Sequence, residues 1–400
     1  MKNPSFQRPS RIRKAVIPAL CLIILAVICL SVLAPTPETP DVPAGPDPEA
    51  LTVNAGAPSG RTGRYRPDWN FGPMGAELEA ARTEAERLSD SLSTAEAADA
   101  WGRVASGGEA AYGPADPRVL AAAARQARSL IDSGETGSEA RSIADHASSG
   151  LAEALGTSSP ESLFAAETAA MRQVSAWEGA EPARGALARI AEDSETALGP
   201  RHPQTLSARR YLAVATSVAG DAEEASAMIR EVLHNHENMF GPDHPETLET
   251  LSCLGHVLSM GGDTAGARNA YTREMEIRTR VQGGDHRDTL VTTGNLASVL
   301  DDLGDHAAAR DMFAAVLEAR ERILGPEHPD TLTARNNLAY VLDDMGDYAA
   351  ACDMYAAVLE AFERLLGPED PDTLTARSNL ASAIVGMGDY AVARDLYTTV

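Results

Sequence analysis

The sequence predicts an all-α fold, a solenoid of antiparallel helix pairs, and three observations carry that prediction. An eight-residue opening stands at Gly199 (GPRHPQTL), Gly241 (GPDHPETL), Gly283 (GGDHRDTL), Gly325 (GPEHPDTL) and Gly367 (GPEDPDTL), always 42 residues apart. A fixed period of this size marks an array whose units bury their apolar faces only against their neighbours. Between openings a Gly-Asp pair recurs, at Gly220, Gly262, Gly304, Gly346 and Gly388. Glycine ends a helix and aspartate starts the next. The composition is rich in alanine with only 4% aromatics, which suits close-packed helices better than an aromatic-lined catalytic pocket.

Residues 1–14 carry Lys2, Arg8, Arg11, Arg13 and Lys14 and no acid. Residues 15–34 (AVIPALCLIILAVICLSVLA) follow without a charge. At 1.5 Å per residue, 20 residues of helix reach ~30 Å, the thickness of a bilayer core. We read 15–34 as a single transmembrane anchor with the basic flank in the cytoplasm and the repeats outside it. A cleaved signal is the competing reading, in which the repeats would be secreted. Against it, Pro35 follows Val32-Leu33-Ala34 and is a poor residue after a scissile bond. Residues 35–75 are rich in Pro, Gly, Asp and Ser and read as a disordered linker.

Helical patterning starts at Ala76. Residues 76–198 form degenerate repeats, with weakened openings at Gly113 and Gly156, and residues 199–400 form repeats of 42, the last incomplete. Within Gly325–Leu366, His328 precedes Pro329, which pushes it out of helical space, and Pro329 suits the first helical position. Asp330 complements the positive helix end. The first helix is expected to bury Leu332, Leu338, Ala339, Leu342 and Met345, and the second Ala351, Tyr355, Val358, Leu359 and Phe362.

The run NLAxxLxxxGDYxxAxxxYxxVLE, read from Asn337 onward, is similar to the tetratricopeptide repeat. The 42-residue period and the GPEHPDTL loop resemble the kinesin-light-chain variety. The resemblance is strong over 199–400, weaker over 76–198 and silent on 1–75. It implies a superhelical array whose first helices line a concave groove that binds a protein or peptide, without catalysis. By that resemblance the groove should include Arg210, His256, Asn336 and Tyr340, and the acid pairs Asp301-Asp302 and Asp343-Asp344. Asn295, Asn337 and Asn379 recur in register. In the family such asparagines often bond a peptide backbone or the neighbouring helix. Adjacent acid pairs in two repeats favour a basic ligand.

The formal charge of −24 argues against nucleic acid, whose phosphates need a basic surface. His202, His244, His286 and His328 recur in the loops. Repeats stack ~8–10 Å apart, while zinc ligands sit ~2.1 Å from the ion, so these histidines read as turn-structuring residues. Cys253 and Cys352 read as small buried thiols. No HExxH, GxSxG or GxxxxGK[ST] motif is present. The sequence therefore points to a non-catalytic, membrane-anchored scaffold without cofactor or metal. A rival reading makes it the recruiting arm of an enzyme whose catalytic domain follows Val400. A third makes it an array for self-association.

Overall fold

The computed structural model describes residues 71, 74–90, 94–133, 138–175 and 180–398. The basic flank 1–14, the anchor 15–34 and nearly all of the linker 35–75 lie outside the described residues. Among the described residues there are sixteen α-helices and no strand, and no helix long and apolar enough to cross a membrane.

The helices fall into two compact units. The first, ending at Gly261, holds α1 (Ala76–Asp90) with α2 (Thr94–Tyr112), α3 (Pro117–Ser133) with α4 (Ser138–Leu155), and α5 (Pro160–Ser175) with α6 (Ala180–Leu198). It continues with α7 (Pro203–Val218), α8 (Ala222–Phe240) and α9 (Pro245–Met260). The second, from Gly262, holds α10 (Thr264–Gln282), α11 (Arg287–Asp302) with α12 (His306–Leu324), α13 (Pro329–Met345) with α14 (Tyr348–Leu365), and α15 (Pro371–Met387) with α16 (Tyr390–Tyr397). Within each unit every helix packs on its successor. Short loops between packed successors make antiparallel neighbours. First helices also touch: α3 on α5, α5 on α7, α7 on α9, and in the second unit α13 on α15.

Each opening loop restarts the chain by the same local chemistry. Gly325 sits at φ +89, a conformation that costs a side-chain-bearing residue roughly 1–2 kcal/mol. His328 then takes extended backbone, and its side chain accepts the N–H of Asp330. His202, His244 and His286 do the same for Gln204, Glu246 and Asp288. The recurring histidines are therefore helix N-caps, and Asp370 fills the role in the last opening by accepting from Asp372. In the first unit the loop is closed a second time, by Thr205 and Thr247 hydroxyls donating to the carbonyls of Gly199 and Gly241. The Gly-Asp turns behave as expected at Asp263, Asp305, Asp347 and Asp389, each of which caps the helix it precedes. Asp221 differs: its carboxylate makes no cap and instead receives Arg184 at 2.6 Å.

The core is a string of small clusters. In the first unit, Trp101, Val104 and Ala122 pack with Met74 and Ala85, and Leu120 and Leu151 pack with Phe164. The Trp101 indole N–H is satisfied by Ser89 Oγ at 2.9 Å. In the second, Phe313 and Val316 pack with Leu290, Ala297, Leu338 and Val341. Truncating one such side chain to alanine costs roughly 2–5 kcal/mol. Leu332, Leu338, Ala339, Ala351, Tyr355, Val358 and Leu359 are buried as predicted, with Leu342 and Phe362 partly so. Met345 is not: it is 42% exposed, because the helix ends there and no later turn covers it. Neither Cys253 nor Cys352 forms a disulfide; Cys253 is buried, while Cys352 is half-buried.

The capping and core histidines set a pH dependence. Burial holds His202 and His286 below the usual imidazole range and pulls His236 and His256 down to about 4. A depressed folded pKa leaves stability intact above the unfolded value of ~6.5 and removes it as pH falls toward 4, by roughly 3 kcal/mol for each fully shifted group. His306 has the opposite sign, since its hydrogen bond to Asp301 raises it. It is a single exposed group. The urea midpoint of the helical signal should therefore fall steadily between pH 7 and 5, and a midpoint that stays flat over that interval would contradict this account.

Candidate binding surface

The first helices present a polar row in register. Counting from each opening glycine, the eleventh position is Glu167, Arg210, Ser252, Gly294, Asn336 and Ser378 in turn, and the twelfth is Thr168, Tyr211, Cys253, Asn295, Asn337 and Asn379. In the first unit this row is buried and cross-linked. Arg128 on α3 approaches Glu167 on α5 at 3.5 Å and donates to the Tyr211 hydroxyl on α7 at 2.7 Å. Glu167 also accepts from Gln204 Nε2 at 2.7 Å and Ser207 Oγ at 3.0 Å. Desolvation pushes the Glu167 carboxyl up, against the pull of Arg128 and Ser207. Arg210 donates to Glu246 Oε2 on α9 at 2.7 Å. Removing one partner of so buried a pair strands the other charge at a cost of roughly 3–5 kcal/mol.

Two of the residues expected to line a groove, Arg210 within this row and His256 outside it, are buried rather than presented to solvent. Arg210 is 1% exposed and ties α7 to α9. His256 is 3% exposed, kept neutral by burial, and its Nε2 makes no hydrogen bond.

The second unit is different. Asn336 is buried and accepts from Asn379 Nδ2 at 3.0 Å, linking α13 to α15. Asn295 and Asn337 are half-buried, and the Asn295 Nδ2 makes no hydrogen bond. Tyr340, Asp343 and Asp344 are half-buried, Asp302 is exposed and Asp301 is buried. Asp301 Oδ1 lies 2.6 Å from His306 Nδ1. The protein mass around the Asp302 carboxyl and the charges of Asp301 and Asp344 push its pKa up. Burial, followed by Asp343, Tyr340 and Asp344, drives the Tyr355 hydroxyl far above its ordinary range. Asp301, Asp302, Asp343, Asp344, Tyr340 and Tyr355 thus form one electrostatically connected patch. The Asn336–Asn379 link ties one of these helices, α13, to α15.

Sequence reading singled out Arg210 in the first unit and missed Arg128, Glu167, Gln204, Tyr211 and Glu246. Glu167 and Arg210 share the eleventh position, and that coincidence was the available signal. Chemically, the second-unit patch offers carboxylate and amide acceptors. Among the described residues no three His, Cys, Asp or Glu side chains converge as a metal site.

A family model described as tetratricopeptide repeat matches residues 246–322, 288–355 and 334–400, and a second of the same description matches 205–246. Among solved structures the chain is similar to the apo form of the quorum sensor NprR from B. thuringiensis, at 13% identity over 80% of this chain and 84% of that one, with a TM-score of 0.58. The apo form of RapI is similar at 14% identity over 70% of this chain and 75% of that one, with a TM-score of 0.52. Kinesin light chain TPR-like repeats from Podosopora anserina align at 22% identity over 50% of this chain and 94% of that one, with a TM-score of 0.45. No functionally curated protein matches the sequence.

Proposed function

Residues 205–400 belong to the tetratricopeptide-repeat family, and on that footing we propose that the chain is a protein-interaction scaffold that holds an extended basic peptide on the first helices of its second unit. The observation that carries this is the patch of Asp301, Asp302, Asp343 and Asp344. Surrounding protein first, and then the charges of Asp301 and Asp344, raise Asp302, and a partner rich in arginine or lysine brings a cation to this acid in each repeat. The asparagines of α11, α13 and α15 supply acceptors and donors for its backbone. NprR, a quorum sensor, is built on the same fold, which is in keeping with a receiving surface. The proposal includes the tether: residues 15–34 anchor the chain in a membrane, and the spacer after them lets the repeats stand clear of it on the far side from the basic flank.

Two measurements check the reading. Replacing Asp302, Asp343 and Asp344 with asparagine, and sparing Asp301 because it holds His306, should weaken binding of an arginine-rich peptide about tenfold at low salt. The same change should flatten its salt dependence, since exposed charge pairs contribute ~0.2–1 kcal/mol each and are screened. Unchanged isotherms would refute the acidic surface. For the tether, the full-length chain should sediment with membranes and resist an alkaline carbonate wash, and its complete release into the wash would remove the anchor from the proposal.

A further inference from the structure

The ends of the first helices in the second unit carry more than charge. Leu303, Met345 and Met387 stand 42 residues apart, each immediately before a positive-φ glycine, and they are 44%, 42% and 56% exposed. A single exposed apolar side chain needs no explanation. Three in the same register of successive repeats make a ridge. Acid surrounds it: residues 298–309, 340–351 and 382–393 contain seven aspartates and no lysine or arginine. The histidine among them, His306, is already engaged by Asp301.

Side-chain packing joins the second of these ends to the third, and charge links the first to the second. The Asp302 carboxyl at the end of α11 senses Asp344 at the end of α13. Cys352, at the start of α14, senses Asp343 and lies with its Sγ 3.6 Å from Met387 Sδ at the end of α15. Gly386 holds the register of Asp302 and Asp344, and a Cβ built there would lie 2.4 Å from the Tyr348 ring. Glycine at that position is what lets Tyr348 close over α15.

The geometry points to a docking ridge for a segment that is basic and apolar at once, an extended peptide in which arginine or lysine alternates with leucine-sized side chains. This rests on the reading of the acidic patch as a binding surface and names the chemistry of what it binds. A purely basic segment would leave Leu303, Met345 and Met387 wet. A purely apolar one would strip water from aspartates without pairing them, which is costly. A second copy of this chain is disfavoured by charge, since like-signed patches repel across an interface and the chain carries a formal −24. An anionic lipid surface is disfavoured for the same reason. Helices packed as α13 is on α15 lie ~8–10 Å apart, and an extended chain advances ~3.3 Å per residue. The apolar side chains of the partner should therefore recur at every third position, with cations between them.

The test uses the full-length chain in mild detergent and three labelled twelve-residue peptides, read by fluorescence anisotropy: Leu-Arg-Ser repeated four times, the same peptide with serine for every leucine, and the same with glutamine for every arginine. The mixed peptide should bind at least tenfold more tightly than either control. The combined substitutions Leu303→Ser, Met345→Ser and Met387→Ser should abolish that preference, and Met345→Leu alone should keep it. Because the peptide series is read on the unaltered chain, the result does not depend on how the substituted chain folds. If the basic control binds as tightly as the mixed peptide, the ridge plays no part and only the acidic-surface reading stands. If none of the three binds, both readings fall. If the serine substitutions abolish a concentration-dependent rise in sedimentation mass, the ridge belongs to self-assembly and the inference is overturned.

Discussion

A helix of sixteen to nineteen residues, such as α9 or α10, cannot bury its apolar stripe alone, and everything else in this chain follows from how that burial is shared. Within each unit every helix finds cover on the next one in sequence, and α3 with α5, α5 with α7, α7 with α9 and α13 with α15 find more on one another. Such stacking requires the chain to reverse at constant intervals without spending apolar surface on the turns. Glycines at positive φ reverse it, and histidine or aspartate caps restart it. The caps matter energetically because the first turn of a helix leaves backbone N–H groups unpaired, and one good cap is worth roughly 1 kcal/mol. Using histidine for four of them links the restart to protonation. Nδ1 must hold a lone pair toward the backbone, so acid that protonates it removes the acceptor.

The two units solve the polar side of the problem differently. In the first, the row facing along the first helices is closed by Arg128, Glu167, Gln204, Tyr211, Arg210 and Glu246, which satisfy one another across four helices. Such a network fixes register and leaves little to offer a partner. In the second unit the eleventh and twelfth positions are Gly, Asn and Ser, joined by one amide contact between Asn336 and Asn379. Acid collects at the helix ends beside exposed leucine and methionine. The asymmetry is confined to this row, since the second unit buries a network of its own in which Arg278 pairs with Glu274 and Asp288.

Much of this was legible in the sequence because it is local and repeated. The period, the Gly-Asp turns, the proline at the first helical position and most of the buried stripe could be read from spacing alone. What could not be read was long-range. Arg210 was placed in the groove by resemblance to the family, and its burial goes with a pairing to Glu246, 36 positions later, that spacing does not reveal. His256, placed in the groove by the same resemblance, is buried as well, without such a pairing at its Nε2. The histidine caps were legible as turn residues but not as acceptors, since a side chain's bond to the N–H two residues on depends on backbone angles. Met345 fits the helical stripe by spacing, and its exposure reflects the helix ending there. The aspartate pairs were visible as a pattern. Their coupling across repeats, and the apolar ridge beside them, needed the helices to be placed side by side.

The central claim is that stacking leaves the first-helix ends of the second unit as the surface that grips. Hydrogen exchange on the full-length chain, with and without a saturating basic-apolar peptide, measures this directly. The account predicts slowed exchange confined to residues 298–309, 340–351 and 382–393, with residues 76–198 unchanged. Protection appearing only in residues 76–198, or none anywhere at saturation, would contradict it.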